Sequence, residues 1–319
     1  MNRRTFLAST TAMALQSADA APAPIPIIDC HIHLFDTTRP QGVPWPDKKD
    51  TVLYKPANMD RYRKLIAGLG IVGAIEVEAS PWFDDNQWVL DIAAKDKMIV
   101  GHVGDLEPDK PAFREQLDRF HKNPLFRGIR YGNLWGRSLH DELAKPEFIA
   151  GLKALAQADL EMDTANPDPA LLADILRLSD RVPTLRIVID HVPRMDHPKE
   201  APALRALQGD LRELGKRKQV YIKVSGVLRR VDGRVPEDPK FYRDRLDQLW
   251  DIFGEDRLVY GSDWPNSDLW AEYPKGLRVV REYFMSKGTA AAEKYFWKNS
   301  VAAYRWVKRD AAQPQPKMG

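Results

Sequence analysis

Ile25-Pro26-Ile27-Ile28-Asp29-Cys30-His31-Ile32-His33-Leu34-Phe35-Asp36 is an apolar run whose end carries two imidazoles. Side chains along a strand alternate between faces, so His31 and His33 project the same way. Two polar rings converging at the end of a buried strand need partners from elsewhere in the chain, because burial without partners costs several kcal/mol.

Seven further runs share the character of this one. They are Val72 to Val77, Met98 to Val103, Phe126 to Tyr131, Leu160 to Asp163, Leu185 to His191, Val220 to Ser225 and Leu258 to Asp263. Longer segments with apolar residues at three- and four-residue spacing lie between them, which is the pattern of repeated βα units. With Ile25 to His31 the runs number eight, and the predicted fold is an α/β (β/α)8 TIM-type barrel in one domain over residues 21–310. Met59 to Ile66 predicts a helix that stops at Gly68 and Gly70. Pro111, Pro146, Pro169 and Pro202 each fall near the first turn of a helical pattern, where a missing N–H costs nothing. Thr37 to Pro56 holds four prolines and no periodicity, so a long loop is expected over one end of the barrel. Residues 311–319 are expected to form a flexible tail.

Among 319 residues, 48 Lys and Arg stand against 45 Asp and Glu. That near balance gives no electrostatic basis for binding nucleic acid or holding to an anionic membrane. With Cys30 as the single cysteine, no disulfide can form within the chain. Arg3 and Arg4 precede a modestly apolar stretch from Phe6 to Leu15, and Ala18-Asp19-Ala20 has the small-x-small form of a cleavage site. Residues 1–20 therefore resemble a twin-arginine signal peptide, which implies transient contact with the Tat export machinery and a periplasmic or secreted enzyme.

His191 closes the sixth run and Asp263 the eighth, so three imidazoles and a carboxylate stand where barrel strands run out. Active sites in this fold are built at that end. His31-x-His33, Asp190-His191 and Gly261-Ser262-Asp263-Trp264-Pro265 resemble the amidohydrolase superfamily, in its amidohydrolase-related branch of lactonases and metal-dependent decarboxylases. The nearest likeness within that branch is to the sugar-lactone and 2-pyrone-4,6-dicarboxylate lactonases.

The resemblance implies that Asp263 activates water and returns a proton to the leaving alkoxide, while His31, His33 and His191 stabilise charge on the carbonyl oxygen, directly or through a metal. It further implies substrate contacts from Arg130, Arg137, Arg229, Lys223, Tyr54 and Trp264, with Arg130 holding a substrate carboxylate. Two cofactor states stay open. One divalent ion, zinc or manganese, could be held by His31, His33, His191 and Asp263, or the reaction could run without metal. Arg130 stands where a bridging lysine would be needed after the fourth strand, which argues against a binuclear site. The expected reaction is hydrolysis of a small polar or carboxylated lactone. The alternatives are decarboxylation of an aromatic or muconate-type acid, disfavoured because no histidine follows the fifth strand, and a binding protein without catalysis.

Overall fold

The computed structural model describes residues 24–315, and the export signal expected at residues 1–20 lies outside them. Eight parallel strands follow in chain order: β1 (Ile27–Ile32), β2 (Ile71–Val77), β3 (Ile99–Gly104), β4 (Phe126–Arg130), β5 (Glu161–Asp163), β6 (Arg186–Ile189), β7 (Val220–Val224) and β8 (Leu258–Tyr260). Each predicted run overlaps its strand. The largest shift is at β8, which ends at Tyr260, before the glycine and serine that lead to Asp263.

The helices are α1 (Met59–Ile66), α2 (Phe83–Lys95), α3 (Phe113–Phe120), α4 (Leu139–Glu142), α5 (Pro146–Gln157), α6 (Pro169–Arg181), α7 (Ala201–Gly215), α8 (Arg243–Phe253) and α9 (Tyr273–Ser286), with further helical turns to Tyr304. Local chemistry fixes several starts. Asn58 accepts from the Arg61 amide at α1 and Asp168 from the Leu171 amide at α6, satisfying amides that have no partner within the helix. Pro146 and Pro169 open their helices, whereas Pro111 falls just ahead of α3.

The barrel closes between its first and last strands. Ile32 bridges Trp264, the Asp263 amide donates to the His31 carbonyl at 2.9 Å, and the His33 amide donates to the Trp264 carbonyl at 2.8 Å. This seam sets Asp263 beside both histidines. Buried Asp29 pins it from behind, accepting from the Ser262 amide and from the hydroxyls of Tyr62 and Tyr273, each at 2.8 Å.

Two apolar clusters fill the molecule. The larger joins the strands to the helix faces. The smaller includes Ile28, Cys30, Val100, Val188 and Val259 and is completed by Tyr304 and Trp306. Tight approaches inside the ring depend on glycine: a Cβ on Gly128 would meet the Glu161 carboxyl at 2.1 Å, and one on Gly261 would meet His31 at 2.8 Å. The expected tail is anchored as far as it is described. Gln313 is 2% exposed and its amide donates to the carbonyls of Val72 and Lys97.

Candidate active site

The ends of five strands supply the site. His31 lies in β1 and His33 one residue past it, Glu78 just past β2, Arg130 at the last position of β4, His191 past β6 and Asp263 past β8. His191 and Asp263 have φ of 54° and 62°, a left-handed backbone that costs a non-glycine residue about 1–3 kcal/mol. Their side chains meet over the barrel mouth.

Asp263 Oδ1 is the point of convergence. It lies 3.5 Å from His33 Nε2, 3.7 Å from His191 Nε2 and 3.8 Å from His31 Nε2. Asn266 donates to the same oxygen at 3.1 Å, and Arg194 reaches the other carboxylate oxygen at 3.3 Å. His31 Nε2 and His33 Nε2 are 3.2 Å apart. Each ring is oriented from behind: His33 Nδ1 donates to the Val77 carbonyl at 2.8 Å, His191 Nδ1 meets the Ser225 hydroxyl at 2.7 Å, and His31 Nδ1 lies 3.1 Å from Lys223 Nζ.

Environment sets the charges. Burial opposes ionisation of Asp263, but the imidazoles and the Arg194 guanidinium outweigh it and hold the carboxyl below the ordinary range. Burial pushes His191 down to about 4, with Arg194 adding to the fall and Asp263 opposing it. Burial and then the Lys223 ammonium push His31 well below the usual histidine value. At neutral pH the site therefore presents a carboxylate base beside two neutral rings, His31 and His191. Burial also raises Glu78 to about 7, with Arg137 opposing and Asp105 reinforcing the rise.

The ligand atoms of His31, His33 and Asp263 lie within 4.8 Å of one another, as do those of His31, Asp190 and His191. Tetrahedral zinc with bonds of about 2.0–2.1 Å spaces its ligands roughly 3.3 Å apart. The 3.2, 3.5 and 3.8 Å separations among the first three fit one divalent ion after small adjustments.

Above this centre opens a pocket walled by Trp45, Trp135, Leu134, Glu78, Asn166 and Asn266, with His33, His191, Arg130 and Arg194 on its floor and side. The predicted loop from Thr37 to Pro56 delivers Trp45, whose ring stands 5.6 Å from His33. Of the residues expected to contact substrate, Arg130 lines this pocket, with its Nε donating to the Thr164 carbonyl at 3.4 Å and lying 3.2 Å from Asp190 Oδ2. The other five expected contacts lie elsewhere. Arg137 is buried against Glu78 and Asp105. Lys223 is wholly buried one layer below, paired with Asp163 and Asp190. Trp264 is 0% exposed and packs on Tyr62 and Arg61, because the closing seam turns it away from the mouth. Arg229 donates to the Pro193 carbonyl at 2.9 Å, and Tyr54 does not line the pocket.

Sequence reading missed two charged pocket residues, Arg194 and Glu78. Arg194 sits on the short 3-10 turn Val192–Arg194, and that turn alone directs it at Asp263. Glu78 had a legible signal, since it is a charged residue directly after an apolar run, as His33 and Asp263 are.

A parallel barrel with imidazoles and a carboxylate at its carboxyl-terminal mouth defines a TIM-barrel enzyme of the acid–base or metal-assisted kind. The chain belongs to the amidohydrolase family, whose pattern matches residues 28–306. An L-fucono-1,5-lactonase of Burkholderia ambifaria is 31% identical over 245 residues, covering 76% of this chain and 81% of the relative. A second L-fucono-1,5-lactonase, of Burkholderia multivorans, is 26% identical over 91% of this chain and 97% of its own. Among solved structures, an amidohydrolase of Burkholderia multivorans with bound zinc superposes with a TM-score of 0.77 at 23% identity, covering 88% of this chain and 100% of that one. The last likeness shows the fold.

Proposed function

We propose that this enzyme hydrolyses a small, neutral, hydroxylated lactone, with Asp263 activating the attacking water. The observation that carries the reading is the Asp263 carboxylate, 3.5 to 3.8 Å from three imidazole nitrogens, directly beneath a pocket that His33, His191 and Arg194 line. Asp263 takes a proton from water as the oxygen adds to the lactone carbonyl carbon. The developing oxyanion is stabilised by the Arg194 guanidinium and imidazole N–H groups. When the ring C–O bond breaks, Asp263 returns the proton to the alkoxide, and a hydroxy acid leaves. A divalent ion held by His31, His33 and Asp263 would supply Lewis-acid polarisation of the carbonyl.

The substrate class follows from charge pairing. The cations lining the pocket face carboxylates already, Arg130 with Asp190 and Arg194 with Asp263. A substrate carboxylate would have to share either guanidinium with the carboxylate it already faces. Glu78, Asn166 and Asn266 offer acceptors and donors for hydroxyls, and Trp45 and Trp135 offer apolar faces. The similarity to two L-fucono-1,5-lactonases supports a sugar-acid lactone. Decarboxylation has less support, because no histidine stands at the end of β5, where Asp163 is tied to Lys223 and Tyr304. The adjacent arginines and cleavage pattern in residues 1–20 support export to the periplasm, which amino-terminal sequencing of the native protein would test.

The test is acid release from a panel of sugar lactones and carboxylated lactones, assayed with and without added zinc or manganese. Turnover of a neutral aldonolactone is expected. No turnover of any member in either condition would overturn the assignment.

A further inference from the structure

We propose that Lys223 is a positioning residue that dictates which nitrogen of His31 carries the ring hydrogen, and so governs how tightly His31, His33 and Asp263 take a divalent ion. The inference rests on the functional reading above only in placing the reaction at Asp263.

Lys223 projects from β7 into the barrel and has no solvent exposure. Its Nζ hydrogen-bonds Asp163, lies 2.9 Å from Asp190 Oδ1, and lies 3.1 Å from His31 Nδ1. Asp163 is itself held by the Tyr304 hydroxyl at 2.9 Å. Flanked by two buried carboxylates, the amine is an ammonium, which has three hydrogens to give and no lone pair. His31 Nδ1 must therefore accept, and the hydrogen of this neutral ring sits on Nε2, aimed at the centre.

His33 has the opposite arrangement. The Val77 carbonyl, 2.8 Å from His33 Nδ1, can only accept, so that nitrogen carries the hydrogen and Nε2 offers a lone pair. The 3.2 Å contact between the two Nε2 atoms is then one N–H facing one lone pair. His33 is already in the form that binds a metal, and His31 is not, because a ligand nitrogen must be free of hydrogen.

A second observation shows where the hydrogen would go. Asp190 Oδ1 is 3.6 Å from His31 Nδ1, and both buried Asp190 oxygens lack a hydrogen-bond donor of good geometry. If Lys223 swings off His31 toward Asp190, the ring can move its hydrogen to Nδ1, donate it to Asp190, and free Nε2. The ammonium thus favours the donor form of His31, and releasing it favours the ligand form.

The test uses histidine-15N-labelled full-length protein stripped of metal, with NMR reporting the tautomer of each ring and isothermal calorimetry measuring zinc affinity. In the wild type His31 is expected as the Nε2–H form, and one equivalent of zinc should convert it to Nδ1–H. Lys223→Met should show Nδ1–H without metal and bind zinc about 10- to 100-fold more tightly, the magnitude usual for outer-shell partners of ligand histidines but of opposite sign, because Lys223 opposes the ligand form. Because that change strands two buried carboxylates, a second variant combines it with Asp163→Asn. An Nδ1–H His31 in metal-free wild type, or unchanged zinc affinity in the folded double variant, would overturn the proposal. Both readouts are independent of turnover, so failure of the lactone panel would leave them standing.

Discussion

Glu78→Gln changes the pocket wall by one charge and little volume. In the wild type Glu78 accepts from Trp135 Nε1 at 2.9 Å and from Arg137 Nη2 at 3.0 Å, which leaves lone pairs for a substrate hydroxyl. A hydrogen bond to a charged group contributes about 1.5–3 kcal/mol. Its loss should lower kcat/KM for a neutral hydroxylated lactone by about 10- to 150-fold. The same charge repels a substrate carboxylate: at ~8 Å and an effective dielectric of ~20 the repulsion is about 2 kcal/mol. Removing it should raise kcat/KM for a carboxylated lactone by about 30-fold. The assay is initial-rate acid release by a pH-stat at pH 8, above the value of about 7 to which burial raises Glu78. Wild-type preference for the neutral substrate should itself decline below that value as the carboxyl takes up a proton. An unchanged ratio of the two specificities in the folded variant would refute the reasoning.

Other perturbations probe separate parts of the site. Arg194→Met removes the guanidinium from Asp263 and the oxyanion, so kcat should fall about 100-fold with little change in unfolding temperature; a loss under about threefold would exclude Arg194 from the chemistry. His191 is held near 4 in the folded chain against an ordinary value near 6.5. Protons then bind the unfolded state more readily, so the contribution of neutral His191 is complete above pH 6.5 and declines toward pH 4, by about 3 kcal/mol in all. Urea titrations of wild type and His191→Asn should show a stability difference that moves against the wild type over that window, and a difference independent of pH would count against it. Trp264→Ala should cost about 3–5 kcal/mol of unfolding free energy, because the ring is fully buried at the closing seam.

The barrel was legible because each strand is a short apolar run, and burial on both faces leaves little else such runs could form. His31, His33, His191 and Asp263 were legible for a related reason: charged and imidazole groups stand at the ends of those runs. What escaped was direction below the level of the strand. Lys223 lies only two residues before Ser225, yet it is one layer deeper and turns to Asp163 and Asp190 instead of the pocket. Trp264 adjoins Asp263, but the seam with Ile32 sends it outward. Arg137 is held by Glu78 and Asp105, ion pairs that cross from one loop to two others. Arg194 depends on a 3-10 turn after a left-handed His191, and no local sequence rule specifies that pair.

The most direct measurement compares wild type with Asp263→Asn on the best neutral lactone of the panel. Loss of the base should lower kcat by about 10²- to 10⁴-fold while the variant stays folded. Turnover within about tenfold of wild type would mean that another group activates the water and that Asp263 is not the base.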